Sequence, residues 1–269
     1  MSTRWIAVLT MIVACTITGV ARAAEPPALA KARSLYNEGN YEGAIDAAAV
    51  SRRQAEWADV SALVIGRSHL ERYRQRNDPK DLAAAREALM TVKLATLMPR
   101  DQVDQIIGLG LSLYYGEVFG AAANLFDTGL TRGTMLPPKD RRQLLDWWAT
   151  SLDRQAQAGA ADRRRGVFER IATRMDDELR QDPGNAVALY WRAVAFRGSG
   201  DLQGAWDAAI AAWVESTLEP DTTADLRGDV ERLVQQALIP ERSRLMSRDP
   251  QEAVSTLRAE WELVKQQYK

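Results

Sequence analysis

Residues 182–214 constrain the fold of this chain more than any other stretch. They contain two amphipathic helical segments joined by a Gly-Ser-Gly-Asp turn. Ala193 on the first segment, and Ala205 and Ala209 on the second, are small residues on the faces that must meet, so the two backbones can approach closely. Gly200 can take the positive φ with which a helix commonly ends. The stretch therefore predicts a tightly packed helical hairpin.

Residue usage extends this prediction to the whole chain. Alanine is very common, valine and isoleucine are few, and no long run alternates apolar and polar residues. Glycine and proline fall mostly between the periodic segments rather than inside them. We therefore expect an all-α protein, and 269 residues are enough for one array of several hairpins.

The segment 39–45, Gly-Asn-Tyr-Glu-Gly-Ala-Ile, together with residues 182–214, resembles the tetratricopeptide repeat (TPR), a helix–turn–helix unit of 34 residues. The chain is similar in this respect to exported bacterial TPR-containing proteins. The resemblance implies an α-solenoid of about six TPR-like helical hairpins that forms a right-handed superhelical arc. The expected hairpins cover residues 28–54, 57–98, 101–136, 139–181, 184–217 and 221–268.

The repeat pattern is irregular. The small residues at its close-contact positions do not recur every 34 residues, and the first two gaps are 41 and 37; the positions are Ala44, Ala85, Ala122, Ala205 and Ala253. Only the first, third and fifth hairpins match the pattern strongly. An array of helical hairpins outside the TPR family therefore stays open as an alternative.

Two interruptions are predicted inside the helical pattern. The polar run Arg-Tyr-Arg-Gln-Arg-Asn-Asp-Pro at 72–79 has the composition of an exposed loop. Pro240 is expected to stop or kink the helix that precedes it. The tryptophans of the body fall mostly on packing positions, so we expect them in the core; they are Trp147, Trp148, Trp191, Trp206, Trp213 and Trp261.

Residues 1–23 have the pattern of a secretory signal peptide. Arg4 is followed by the uncharged, mostly apolar run 5–20 and by small residues around a cleavage site between Ala23 and Ala24. Sixteen residues fall short of the roughly 20 that a transmembrane helix needs. Cys15 ends a sequence that resembles a lipobox, so a lipoprotein anchored through Cys15 is the alternative. We expect a periplasmic or secreted protein whose body, 24–269, is stabilised without disulfides.

The sequence offers few groups for catalysis or for nucleic-acid binding. His69 is the single histidine, which leaves no His-based triad and no His-rich zinc site, and Cys15 lies in the leader. Gly-Leu-Gly at 108–110 lacks the preceding strand that a dinucleotide loop requires. The net charge of −1 gives no electrostatic footprint for nucleic acid. We expect no enzyme activity, cofactor or metal.

The TPR resemblance implies a concave groove lined by the first helix of each hairpin. A protein or peptide ligand is the expected partner, and a membrane only if Cys15 is lipidated. The residues expected to bind the partner are Arg67, Leu70, Ile107, Tyr114, Tyr115, Asp146, Tyr190 and Arg197. Packing of Tyr114 and Tyr115 on the next hairpin is the alternative for those two residues.

The expected function is a non-enzymatic periplasmic scaffold or adaptor in envelope or secretion-complex assembly. Tyrosine and arginine anchors among apolar contacts are typical of protein-binding surfaces. A lipoprotein assembly factor and a regulatory subunit of an envelope enzyme are the two alternatives. The identity of the partner does not follow from the residues.

Overall fold

The computed structural model describes residues 24–134, 136–218, 220–246 and 249–268. The predicted signal peptide, with Cys15 and Ala23, lies outside the described residues. Within them every regular element is a helix, so the all-α prediction is confirmed. The helices are α1 (Pro27–Asn37), α2 (Tyr41–Ser51), α3 (Ala58–Arg76), α4 (Pro79–Thr91), α5 (Pro99–Tyr115), α6 (Phe119–Arg132), α7 (Pro138–Gln157), α8 (Ala161–Gln181), α9 (Ala186–Ser199), α10 (Leu202–Leu218), α11 (Pro220–Leu233), α12 (Ile239–Met246) and α13 (Pro250–Gln267).

Neighbouring helices pack in sequence order. Each helix from α1 to α10 packs against the next one along the chain, and α10 packs against α11. The odd-numbered helices from α1 to α11 are called first helices here. Several of them touch one another: α1 contacts α3, α3 contacts α5, α7 contacts α9, and α9 contacts α11. The side of the molecule on which the first helices α1, α3, α5, α7, α9 and α11 lie next to one another is called the first-helix face below.

The helix ends follow local sequence chemistry. Proline occupies the first turn of α1, α4, α5 and α7, where its missing N–H costs no hydrogen bond. Short polar side chains cap five of the described helices by accepting a backbone N–H; they are Asn40, Asp78, Asn185, Asp201 and Asp249. Gly200 ends α9 with φ of 95°, which confirms its predicted role.

The predicted loop over residues 72–79 is wrong. Helix α3 continues to Arg76, and only Asn77 and Asp78 separate it from α4. Arg74 and Arg76 favour the last turn, because cations are stabilised near the negative end of a helix dipole. Asn77 takes a left-handed conformation with φ of 52°, and Asp78 caps α4. A polar run that resembles a loop in sequence is therefore an exposed helix end.

Pro240 does not stop its helix. Residues Val234–Leu238 form a π-helical turn, and α12 continues directly from it with Pro240 in its first turn. Proline cannot donate a backbone hydrogen bond and its ring crowds the preceding turn. A widened turn is one of the recognised ways for a helix to accommodate such a disruption. The helix therefore does not stop at Pro240, and a π turn precedes the proline.

Close approach between helices depends on glycine at several positions, of which Gly66 and Gly110 are examples. A Cβ atom at Gly66 in α3 would lie 2.6 Å from Cγ of Leu89 in α4. One at Gly110 in α5 would lie 2.5 Å from Cε1 of Phe126 in α6. Real Cβ atoms do not approach so closely, so a larger residue would force the facing side chain or its helix to shift.

The buried side chains form two apolar clusters that meet at α9. Ala188, Trp191 and Ala195 of this helix belong to the cluster that extends back to α1. Leu189 and Ala193 belong to the cluster that extends forward to α13. Helix α9 is thus packed on two sides and contributes buried residues to both clusters.

Candidate binding face

A row of polar contacts links first helices to one another and, at its far end, links α9 to α12. Arg67 of α3 donates to Asp104 of α5 (2.8 Å), and Arg100 of α5 donates to Asp140 of α7 (2.9 Å). The row continues from Trp191 of α9 to Asp146 of α7 (2.8 Å), and from Arg197 of α9 to Glu241 of α12 (2.6 Å). The partners lie 37 to 45 residues apart in sequence. These contacts fix the relative placement of the first helices.

Four first helices line a cavity of about 130 Å³ on this face. Arg67, Leu70 and Ile107, which the sequence predicts to bind a partner, are brought together here. The cavity also has Tyr36, Gly108, Leu111, Leu136, Gln143, Trp147 and the charged residues Glu71, Arg100, Asp104 and Asp140 in its lining. Its apolar floor and charged margin suit an amphipathic ligand. It is called the anchor pocket below.

A second, more polar cavity of about 370 Å³ adjoins the anchor pocket. The two share Tyr36, Arg67, Arg100, Asp104 and Asp140, so they form one continuous cleft. In the polar cavity Arg33 of α1 donates to Asp101 of α5 at 3.2 Å and to Glu25 at 2.9 Å. The carboxylates of Asp101 and Asp104 are buried, whereas Arg33 and Arg100 remain partly exposed.

Arg67 is the central charge of this cleft. Its guanidinium lies 4.8 Å from the ring centre of Tyr36 as well as 2.8 Å from the Asp104 carboxylate. Burial lowers the pKa of Arg67, but Tyr36 and Asp104 more than offset it, so the pKa is raised overall. Burial also raises the pKa of Tyr36. The pair stays in its usual charge states, a cation beside a neutral phenol.

Tyr114 and Tyr115 lie at the end of α5 in an aromatic group beside the cleft. The ring of Tyr115 is 5.1 Å from that of Tyr73 in α3, and the ring of Tyr114 is 5.6 Å from that of Phe119 in α6. Burial, and then the charge of Glu71, raise the pKa of Tyr115 to about 12. Both tyrosines are partly buried, but Tyr115 packs on the preceding hairpin and Tyr114 on the second helix of its own, not on the next hairpin.

Asp146, Tyr190 and Arg197 lie on the same face but farther along the chain, outside the lining of the anchor pocket. Asp146 accepts its hydrogen bond from the neutral indole N–H of Trp191. Burial raises the pKa of Asp146 and that of Tyr190, and Asp229 raises both further. Arg197 is engaged by Glu241 through both carboxylate oxygens.

The sequence missed part of the cleft. The groove predicted from sequence contains no residue of α1, although Arg33, Tyr36 and Asn37 line the cleft. Trp147 was assigned to the core, but it is only partly buried and faces the anchor pocket; Trp148 is the buried member of the pair. The helical spacing of Gln143 and Trp147 could have revealed this, because residues four apart share a helix face.

His69 has a structural environment. Its Nδ1 lies 2.8 Å from Oδ1 of Asp81, which is buried between α3 and α4, and Arg72 contacts the same oxygen at 3.4 Å. A buried carboxylate needs such partners, since an unpaired one is costly. Within the described part of the chain, no group of three or more His, Cys, Asp or Glu side chains has the arrangement of a metal site.

Comparison with known proteins adds no relative. No protein-family model matches the chain, and neither a curated protein nor a solved structure shows significant similarity to it. None of the helices in the described ranges combines the length and the apolar character that crossing a bilayer requires. Function is therefore inferred from the geometry of the first-helix face.

Proposed function

We propose that this chain is a TPR-like α-solenoid that binds a segment of a partner protein along its first-helix face. In this proposal the hairpins form a right-handed superhelical arc, and the first helices line its concave side. The observation that carries the proposal is the cleft, to which α1, α3, α5 and α7 all contribute side chains. A surface assembled from four successive first helices has the length to hold an extended segment.

The chemistry of the cleft suits binding. Partly buried apolar side chains in its lining, such as Ile107 and Trp147, offer area that a ligand would remove from water. The arginines around it are already oriented by carboxylates, so little conformational entropy remains to be lost when a ligand docks. The role is that of a scaffold or adaptor without catalysis.

Export of the body is part of the proposal and is supported by the leader-like sequence of residues 1–23. A periplasmic scaffold in envelope or secretion-complex assembly agrees with such a leader. Mass spectrometry of the protein recovered from exporting cells tests this step. A free N-terminus at Ala24 supports it, a lipid-modified Cys15 replaces it with the lipoprotein alternative, and an intact leader contradicts both.

Selection from a random twelve-residue peptide library displayed on phage tests the binding function. Gln143 is exposed at the margin of the anchor pocket, so the Gln143→Phe variant is expected to cover the pocket with little effect on the fold. Gln75→Phe is the matched control, because Gln75 is exposed on α3 and does not line the cleft.

We expect peptides selected on the wild-type protein to bind Gln75→Phe equally well and Gln143→Phe at least tenfold more weakly, which corresponds to about 1.4 kcal/mol. Thermal melting of all three proteins checks that they are folded. Failure to select any peptide, or selection of peptides that bind both variants alike, would remove the cleft as the binding surface.

A further inference from the structure

The anchor pocket has the dimensions of a single large side chain. Its volume of about 130 Å³ is close to that of an engineered apolar cavity of about 150 Å³ that binds benzene. Leu70, Ile107, Leu111, Leu136 and Trp147 supply most of its apolar lining. An aromatic or leucine side chain fits such a space, and fully burying one stabilises a complex by roughly 1.5–3 kcal/mol.

Helix α7 connects the anchor pocket to the region around Asp146. Gln143 and Trp147 line the pocket, while Asp146 and Asp153 follow at spacings that keep them near the same side of the helix. At 1.5 Å of rise per residue, Asp146 lies about 5 Å along α7 from Gln143. An extended ligand advances about 3.3 Å per residue, so it covers this distance within about two residues.

The charges around Asp146 are unbalanced. Among the described residues no lysine or arginine nitrogen lies within ion-pair distance of its carboxylate, whose donor is the neutral Trp191. Asp153 accepts from the neutral Gln157, with Arg154 and Arg197 at longer range. The nearby arginines are engaged elsewhere, Arg197 with Glu241 and Arg232 with Asp229.

The difference between the charge partners of Asp104 and those of Asp146 indicates the charge that a ligand would carry. At the pocket Asp104 is paired with Arg67 and approached by Arg100, so the charges compensate within the protein. At Asp146 a half-buried carboxylate has only a dipole as partner. A ligand cation placed there gains the interaction that the protein leaves unmade. The partly buried Tyr190, which interacts electrostatically with Asp146 and packs on Trp191, supplies an aromatic ring in this region.

We infer that the partner segment carries one aromatic or leucine side chain, which enters the anchor pocket, and one lysine or arginine within about four residues of it, which pairs with Asp146. This inference rests on the proposed function and specifies the chemistry of the ligand. An extended peptide with these two side chains contacts the anchor pocket and Asp146 at the same time. An acidic segment would meet repulsion at Asp146.

The peptides selected on phage provide the test. We expect the selected set to be enriched in peptides with an aromatic or leucine residue within four positions of a lysine or arginine. Synthetic versions of the strongest binder, with its basic residue changed to glutamine, are expected to bind about five- to tenfold more weakly at low salt. The loss shrinks as ionic strength rises, because salt screens partly exposed charges.

Asp146→Asn gives the same test from the protein side. The amide oxygen still accepts from Trp191, so the variant removes the charge and keeps the hydrogen bond. It is expected to weaken the original peptide by the same factor and to leave the glutamine peptide unchanged. Asp46→Asn is the control, since Asp46 is exposed on α2.

The outcomes separate the two proposals. Peptides that lose binding to Gln143→Phe but are acidic, or bind Asp146→Asn as well as wild type, overturn the inference and leave the binding function intact. Absence of any peptide that responds to Gln143→Phe overturns both. Equal losses with Asp46→Asn and Asp146→Asn would show a general charge effect and would also overturn the inference.

Discussion

Carboxylates at the two ends of the first-helix face accept hydrogen bonds from different kinds of donor. Between α1 and α7, buried Asp101 and Asp104 each accept from an arginine of another first helix. Between α7 and α9, Asp146 accepts from a neutral tryptophan. One helical face can therefore contain a complete stretch, in which these buried carboxylates are paired with arginines, and an incomplete stretch, in which a carboxylate has only a neutral partner. Among the described residues Asp146 has no cationic partner, so its charge is available to a ligand cation.

The largest expected effect tests whether both stretches belong to one cooperative unit. Phe126 lies in the apolar cluster of α1 to α9, Trp261 lies in that of α9 to α13, and both are fully buried. Phe126→Ala and Trp261→Ala should each lower the free energy of unfolding by about 3–5 kcal/mol. Both should shift a single transition in urea, because α9 joins the clusters.

Met90→Ala is the control for these two variants, since Met90 is 79% exposed and should change stability by less than about 0.5 kcal/mol. Two separate unfolding transitions in Trp261→Ala would mean that the clusters unfold independently. The two stretches would then belong to two domains rather than to one face of a single cooperative unit.

An intermediate effect is expected from two matched substitutions that probe the comparison directly. Asp104→Asn weakens charged hydrogen bonds to a buried oxygen and should cost about 1–2 kcal/mol at neutral pH. Asp146→Asn keeps its bond to Trp191 and loses no ion pair, so it should change stability by less than about 0.5 kcal/mol. Urea denaturation of both variants measures the difference, and equal losses would refute the contrast.

The smallest effect concerns Tyr115 near the anchor pocket. Its pKa in the folded protein is about 12, above the ordinary value of 10.0, chiefly because it is buried. The folded state therefore holds this proton more tightly than the unfolded state. Its contribution to stability is complete below pH 10 and declines as pH rises from 10 toward 12.

Absorbance of tyrosinate against pH measures this property in the wild type and in Tyr115→Phe. The variant should lack one tyrosine that ionises near pH 12 and keep the groups that ionise near 10. Tyr190→Phe is the companion from the other stretch, because burial also raises the pKa of Tyr190. Loss of a group that ionises near 10 in Tyr115→Phe would show that Tyr115 is solvated and the aromatic group open.

The tertiary structure decided where the predicted binding residues lie relative to one another. Arg67, Leu70 and Ile107 share a pocket, whereas Asp146, Tyr190 and Arg197 form a separate region of the face. Helical spacing predicts which side of one helix a residue occupies. It does not predict which residue of another helix lies opposite, so the pairing of Arg67 with Asp104 was not available from sequence.

The sequence by itself determined the helices, most of their ends and the order in which they pack. Those properties depend on nearby residues: apolar periodicity, capping side chains, and glycine where φ is positive, as at Gly200. The exposure of Trp147 to the cleft and the unpaired charge of Asp146 were decided only by tertiary structure. Each depends on atoms that meet across large sequence separations, and local patterns carry no information about those meetings.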